Sequence, residues 1–284
     1  MPAPTHSPFR YPGGKFYARK LILQRIPASD VYCEPFVGGG SIFFAKPPSR
    51  ISILNDLDAG VINTFRQIRD RTEDLIARLD GLPASRALHH HFKHEFQPAD
   101  DLERALRWFY LNRTSYSGIM KPENCYWGYG EKYSMRPENW PGLLRGVAGR
   151  LAGVELVSED FETVIDRLPD GAFLFVDPPY YNADQKKFYP CHFDLSDHQR
   201  LSACLQRHQD RLRFLITYDD SAEVRQLYGW AGQLEEQQWH YTIARTDDQK
   251  AGRKLADGHR SRRKNGRELF ISNYQFNLEM QKEK

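Results

Sequence analysis

The chain has 284 residues, of which 40% are hydrophobic and 13% aromatic, enough for a packed core and too many for wholesale disorder. No run approaches the roughly 20 consecutive apolar residues of a membrane-spanning helix, and Met1 to Pro12 lack the apolar stretch of a secretory signal. A cytoplasmic protein without a membrane partner is expected, and a net charge of +3 is too small to diagnose nucleic acid by itself.

The first notable element is Phe9-Arg10-Tyr11-Pro12-Gly13-Gly14-Lys15. Gly13 and Gly14 let the backbone approach a ligand, Tyr11 offers an aromatic face, and Lys15 can meet a carboxylate. An ordinary turn with a surface lysine is the plainer alternative. Val31–Phe36 reads as the first strand, leaving through Glu34-Pro35-Phe36 into the turn Gly38-Gly39-Gly40-Ser41, with a helix starting at Ile42. Ile51–Asn55 is the second strand. Asp56 follows it, 16 residues beyond Gly40, near the separation of about 20 at which an acid accepts ribose hydroxyls. A glycine turn can equally close a plain strand–helix corner, and a nicotinamide fold shares its logic. A carboxylate at Glu34, however, suits a cofactor carrying positive charge, such as a sulfonium or an ammonium.

From Ala59 to Gly149 the periodicity is helical, then irregular and aromatic, with no parallel strand. Strand–helix alternation resumes with Val154–Ser158, Ala172–Asp177, Arg213–Tyr218, Gln238–Ile243 and Glu268–Asn273. The pattern predicts an α/β fold whose sheet domain comprises 1–60 and 150–284, interrupted by an inserted module over 61–149. Between the last two strands, Arg253, Lys254, Arg260, Arg262, Arg263, Lys264 and Arg267 crowd among glycines, a basic loop suited to phosphates or simply to solvent. Cys33, Cys125, Cys191 and Cys204 are scattered without zinc-ligand spacing, so reduced structural thiols and no metal site are expected.

The strongest local signal is Asp177-Pro178-Pro179-Tyr180, which follows the apolar run Phe173–Val176. The C-terminal edge of a parallel strand is where open sheets bind ligands. An aromatic amino group is a poor nucleophile because its lone pair is delocalised into the ring. Asp177 can accept one N–H of such a group and the Pro178 carbonyl the other, drawing the nitrogen towards sp3 geometry. Pro178 and Pro179 fix φ and remove competing donors, and Tyr180 can stack on the base. Positioning against a good leaving group then supplies much of the rate without a metal or a covalent nucleophile.

Taken in order, these motifs resemble the DNA adenine methylase (Dam) family of alpha-group adenine-N6 DNA methyltransferases, over about Phe9 to Tyr274. The resemblance implies S-adenosylmethionine as cofactor and duplex DNA as substrate, with the target adenine flipped out of the stack. It implies a Rossmann-like methyltransferase sheet, mostly parallel with an antiparallel C-terminal hairpin, and a mainly helical target-recognition insertion. Tyr11, Gly13, Gly14 and Lys15 match the N-terminal cofactor motif; Glu34, Pro35, Phe36, Gly38, Gly40 and Ser41 the glycine motif; Asp56 the ribose acid. Ser158-Glu159-Asp160-Phe161 is similar to the element that meets the cofactor adenine, nominating Asp160 and Phe161, and Asp177 also borders the cofactor. Leu111–Ile119 is similar to the segment that enters DNA, nominating Asn112, Arg113, Tyr116, Ser117, Ile119 and Lys121. Arg262 and Arg263 join them from the basic loop. Tyr126–Tyr133 resembles the hairpin that follows that segment. GATC-specific members carry Asn and Arg where this chain has Ser117 and Lys121, and lysine lacks the bidentate fork of arginine. The resemblance thus carries adenine as the target without carrying GATC as its context.

Three readings follow: a DNA adenine-N6 methyltransferase, with a cognate restriction endonuclease as a conceivable functional partner; an amino-methylating enzyme for cytosine N4, RNA or protein; and a catalytically silent DNA-binding relative. Asp177 favours adenine over the protein-directed enzymes, which generally show asparagine there. The insertion and the basic loop favour duplex DNA, and the complete motifs argue against silence.

Overall fold

The computed structural model describes residues 5–132, 134–182, 191, 193–240 and 265–276. Its framework is a seven-stranded sheet built from β1 (Val31–Glu34), β2 (Ile51–Asn55), β3 (Glu155–Val157), β4 (Phe173–Val176), β5 (Arg213–Asp219), β6 (Gln233–His240) and β7 (Asn265–Ser272), in the order β3-β2-β1-β4-β5-β7-β6. Each neighbouring pair from β3 through β5 is parallel, whereas β7 runs antiparallel to both β5 and β6. The chain leaves β1 towards β2 on one side and returns to β4 on the other. That reversal makes the C-terminal ends of β1 and β4 the switch point at which open α/β sheets take their ligands.

The central strands are apolar on both faces because helices cover both. Along β4, Phe173 and Phe175 face one core and Leu174 and Val176 the other; along β5, Leu215 opposes Phe214 and Ile216. The first core is closed by α1 (Arg19–Leu23), α2 (Ser41–Ala45), α3 (Ala59–Asp70), α4 (Thr72–Leu79), α5 (Arg86–His94), α6 (Asp101–Thr114) and α7 (Trp140–Leu151). The second is closed by α8 (Phe161–Asp166), α9 (Leu195–Arg207) and α10 (Ala222–Leu227). Helix α9 begins with a reciprocal capping box in which Asp194 and Asp197 each accept the other's backbone N–H.

The stretch that lacks strand periodicity is helical from α3 to α6, followed by short 3-10 turns and α7. Its helices share one continuous core with the sheet: Phe65 and Phe109 belong to the same cluster as Phe44 and Phe173. One strand begins earlier than the sequence pattern puts it. The sixth strand was expected at Gln238–Ile243, but β6 begins at Gln233. Leu234 apart, Gln233 to Gln238 is polar, as suits an outer strand that has a neighbour on one side alone. Arg25 of the segment after α1 grips it through a two-pronged pair to Glu235, 2.9 and 2.8 Å. Of the basic loop, Arg253 to Lys264 lie outside the described residues.

Candidate active site

Beyond β1 the backbone turns through Gly38 (φ 45°) and Gly40 (φ 67°), conformations that favour glycine. Space demands it too. A Cβ on Gly38 would meet the Tyr11 ring at 2.8 Å, and one on Gly40 would meet Phe44 at 2.9 Å. Tyr11 thus closes one wall of the turn, and Gly13, also left-handed at φ 76°, carries the chain on towards Lys15. Asp56 holds the turn from β2: its carboxylate accepts the Gly38 N–H at 2.8 Å and the Asp58 N–H at 2.9 Å. Each carboxylate oxygen keeps a second lone pair, so a ribose hydroxyl could still be accepted. Burial pushes this carboxyl up to about 7.

Glu34 lies at the end of β1, 2% exposed, and accepts the Tyr32 hydroxyl at 2.6 Å. Burial first of all drives its carboxyl up to about 8, against the opposing pull of Tyr32 and Lys46. Ser41 opens α2 beside it. Opposite, Phe161 is buried in an aromatic group with Phe36 (centroids 5.5 Å) and Phe193 (5.9 Å). Asp160 caps α8 by accepting the Glu162 N–H at 3.0 Å and pairs with Arg200 at 2.8 Å.

At the end of β4, Asp177 accepts three contacts. The Lys15 ammonium lies 2.6 Å from Oδ1 and 2.8 Å from Oδ2, and the Thr217 hydroxyl donates to Oδ1 at 2.7 Å. Lys15 is itself only 4% exposed, donates to the Gly13 carbonyl at 3.0 Å, and sits 4.7 Å over the Tyr180 ring. The N-terminal motif, Asp177 and the aromatic ring are therefore one cluster, though 162 residues separate Lys15 from Asp177. Pro178 is buried and Pro179 half-buried between them. Past Tyr180, the Tyr181 N–H and the Asn182 amide both donate to Asp219 at 2.8 Å.

The segment formed by the end of α6 and the loop beyond it divides differently. Asn112 is fully buried: its Oδ1 accepts the Arg10 N–H at 2.9 Å, and its Nδ2 donates to the Arg10 carbonyl at 2.8 Å and the Gly118 carbonyl at 3.3 Å. This side chain is a strut between the N-terminal motif and the loop. Arg113 is 7% exposed, with burial lowering its guanidinium to about 10, and reaches the Pro8 carbonyl at 3.4 Å. Ile119 is 5% exposed. Tyr116, Ser117 and Lys121 are the half-exposed residues. Ser117 is the one non-glycine residue with positive φ (53°) among the described residues. In the segment expected to form a hairpin, Tyr126–Tyr133, the described residues make an antiparallel bridge from Trp127 to Ser115. Tyr133, Arg262 and Arg263 lie outside the described residues.

Comparison with known proteins decides the family. The family model described as D12 class N6 adenine-specific DNA methyltransferase matches residues 11–243. The chain belongs to that family. A DNA N-6-adenine-methyltransferase of Escherichia phage P1 is 29% identical over 248 residues, covering 79% of this chain and 31% of that protein. The chain thus spans about a third of the phage relative's length. It covers 81% of the type II methyltransferase M1.LlaDCHI of Lactococcus lactis subsp. cremoris, 24% identical over 76% of this chain. The DNA adenine methylase of Escherichia coli (strain K12) is 26% identical over 77% of this chain and 82% of its own.

Several residues that contact these motifs carry no signal in the sequence. Thr217, Asp219, Phe193 and Arg200 each arrive singly from β5, α9 or the segment before α9, with no motif to mark them. Asn55 closes β2. Its amide donates to the carbonyls of Pro35 (2.9 Å) and Glu159 (3.0 Å), and its carbonyl accepts the Glu159 N–H at 2.9 Å. It therefore ties together the exits of three strands.

Proposed function

We propose that this methyltransferase transfers a methyl group from S-adenosylmethionine to N6 of an adenine flipped out of duplex DNA, in a site-specific manner. The observation that carries the reading is Asp177 at the switch point, its carboxylate held by Thr217 and occupied by a donor, the Lys15 ammonium. A hydrogen-bond donor already sits there, so the amino group of the target base can take its place. Asp177 then accepts one N–H of that amine and the Pro178 carbonyl the other, which aims the nitrogen lone pair along one direction. The Tyr180 ring offers the plane on which the base stacks.

The residues around β1 and β2 suit the cofactor. The turn runs through left-handed Gly38 and Gly40, and a glycine backbone of this kind suits close approach to a ligand. Glu34 is buried where its own charge is disfavoured, and a cation placed against it relieves that cost. Tyr11, Gly13, Gly14, Pro35, Phe36, Gly38, Gly40 and Ser41 would line the cofactor's path, Asp56 its ribose, and Asp160 and Phe161 its adenine. When bound, S-adenosylmethionine supplies a methyl group on a sulfonium, a leaving group that requires no metal or covalent catalysis.

Residues 61–149 act in this reading as the target-recognition part, with Tyr116, Ser117 and Lys121 towards DNA and Arg113 behind them, and Arg262 and Arg263 adding charge for phosphates. Work in the cytoplasm and a cognate restriction endonuclease fit the same reading. Among the described residues no helix is long and apolar enough to cross a membrane.

The deciding experiment supplies methyl-labelled S-adenosylmethionine and mixed-sequence duplex DNA to the purified chain, then digests the DNA to nucleosides. Label in N6-methyladenosine of the deoxy series is expected. Cofactor binding without label in any nucleoside would return the chain to the silent reading, and label in cytosine would move the target.

A further inference from the structure

Two residues of β5 reach the two ends of the catalytic turn. Thr217, fully buried, donates its hydroxyl to Asp177 Oδ1 at 2.7 Å. Asp219, two residues further on and therefore on the same face of the strand, accepts the Tyr181 N–H on Oδ1 and the Asn182 side-chain amide on Oδ2, each at 2.8 Å. Between these anchors stand Pro178 and Pro179, which have no N–H to donate. The turn cannot be fixed by a dense set of its own backbone hydrogen bonds, and its placement depends on acceptors brought from elsewhere. We propose that Asp219 is a positioning residue that fixes the exit of the Asp177–Tyr180 turn, so that β5 clamps the amine-accepting site at both ends.

The chemistry explains why an acid stands here. Its carboxylate accepts two donors at once, and charged acceptors make shorter and stronger hydrogen bonds than neutral ones. Tyr181, whose N–H it takes, packs on His198 at 5.1 Å, and His198 Nδ1 lies 2.5 Å from the Tyr218 hydroxyl, so the exit is also buttressed from α9. Asp219 acts through the turn and makes no contact with the reacting amine. Its effect falls on where Asp177 and the Pro178 carbonyl point, where a displacement of about 1 Å can cost about a hundredfold in rate.

The inference rests on the methyl-transfer reading, and the unmutated chain separates the two: absence of turnover there defeats the reading and not the clamp. With turnover established, Asp219→Asn, which conserves shape, is expected to lower kcat about tenfold while KM for S-adenosylmethionine stays within about twofold. Its amide keeps one acceptor for Tyr181 but presents a donor to the Asn182 donor. Asn182→Asp, at an exposed position, is expected to lower kcat similarly by opposing two carboxylates. The double variant restores a donor–acceptor match with the roles exchanged, and kcat is expected back within about threefold of the unmutated value. A role in general stability alone would not produce that rescue. Unchanged kcat in Asp219→Asn, or a double variant no better than the weaker single one, overturns the proposal.

Discussion

The edge of the sheet and the segment formed by the end of α6 and the loop beyond it both carry runs of family-like residues, yet the two use them differently. At the sheet edge the motif residues keep chemical capacity. Asp56 has lone pairs to spare, Glu34 is a strained buried acid, and Asp177 holds a donor that another donor can replace. In the segment 112–121 the best-matched residues are consumed by the scaffold. Asn112 spends its amide on Arg10 and Gly118, and Ile119 is packed away. A matching motif residue can therefore be an actor or the frame that holds one, and burial together with hydrogen-bond partners sorts the two.

The sharpest way to break this contrast is at Asp177. Asp177→Asn is expected to lower kcat by about a thousandfold, about 4 kcal/mol in activation free energy, because the amide cannot accept from both the amine and Thr217 in the required pattern. Cofactor affinity, read by titration calorimetry, should move by a few-fold at most. Near-normal turnover would remove Asp177 from the reaction. The frame residue should behave in the opposite way. Asn112→Ala leaves the Arg10 N–H and two carbonyls without their partner and is expected to cost about 3 kcal/mol of stability. Denaturant unfolding reads it directly. Lys121→Ala, by contrast, should weaken DNA binding with the unfolding midpoint unmoved. If Asn112→Ala reduced DNA affinity at full stability, the strut assignment would fail.

The sequence made contiguous motifs legible because their chemistry is local: a double proline between an acid and an aromatic, or glycines after a strand, mean something without neighbours. The strand alternation was legible for β1, β2, β4 and β5 because most of their residues are buried and the runs are largely apolar. It failed at β6, where an outer strand of Gln233, Glu235 and Glu236 carries no apolar run. Nor could it reveal Thr217 and Asp219, since a threonine and an aspartate at the end of a strand have no signature until β4 lies alongside. The Lys15–Asp177 pair was hidden for the same reason, its partners being joined only by the fold.

A smaller effect tests the cofactor side through pH. The Glu34 carboxyl is raised from 4.5 to about 8 in the folded protein. The folded state thus holds this proton more tightly than the unfolded chain, and stability from this group falls as pH climbs from about 4.5 through about 8. A cation bound against Glu34 needs the ionised form. Affinity for S-adenosylmethionine should therefore rise with pH, by up to about tenfold per unit below pH 8. Affinity for the uncharged sulfide product should rise less. Glu34→Gln should flatten both profiles. Equal slopes for the two ligands would separate Glu34 from the sulfonium.

The smallest expected effect lies at Ser117 and distinguishes backbone from readout in the segment proposed to recognise DNA. A left-handed conformation costs an ordinary residue about 1 kcal/mol, which glycine avoids at some expense in chain entropy and asparagine tolerates. Ser117→Gly and Ser117→Asn are both expected to raise stability by less than about 1 kcal/mol. The neighbouring Gly118 has no such latitude, since a Cβ there would lie 2.0 Å from the Arg10 carbonyl oxygen. The two Ser117 variants part company in what they present to DNA. Asparagine adds both a donor and an acceptor, whereas glycine removes the hydroxyl and offers nothing in its place. Methylation-sensitive sequencing of DNA from cells expressing each variant should therefore show a changed sequence context for Ser117→Asn and a relaxed one for Ser117→Gly. If the two variants shift the context identically, the loop backbone sets the readout and the side chain at 117 belongs to the frame, like Asn112.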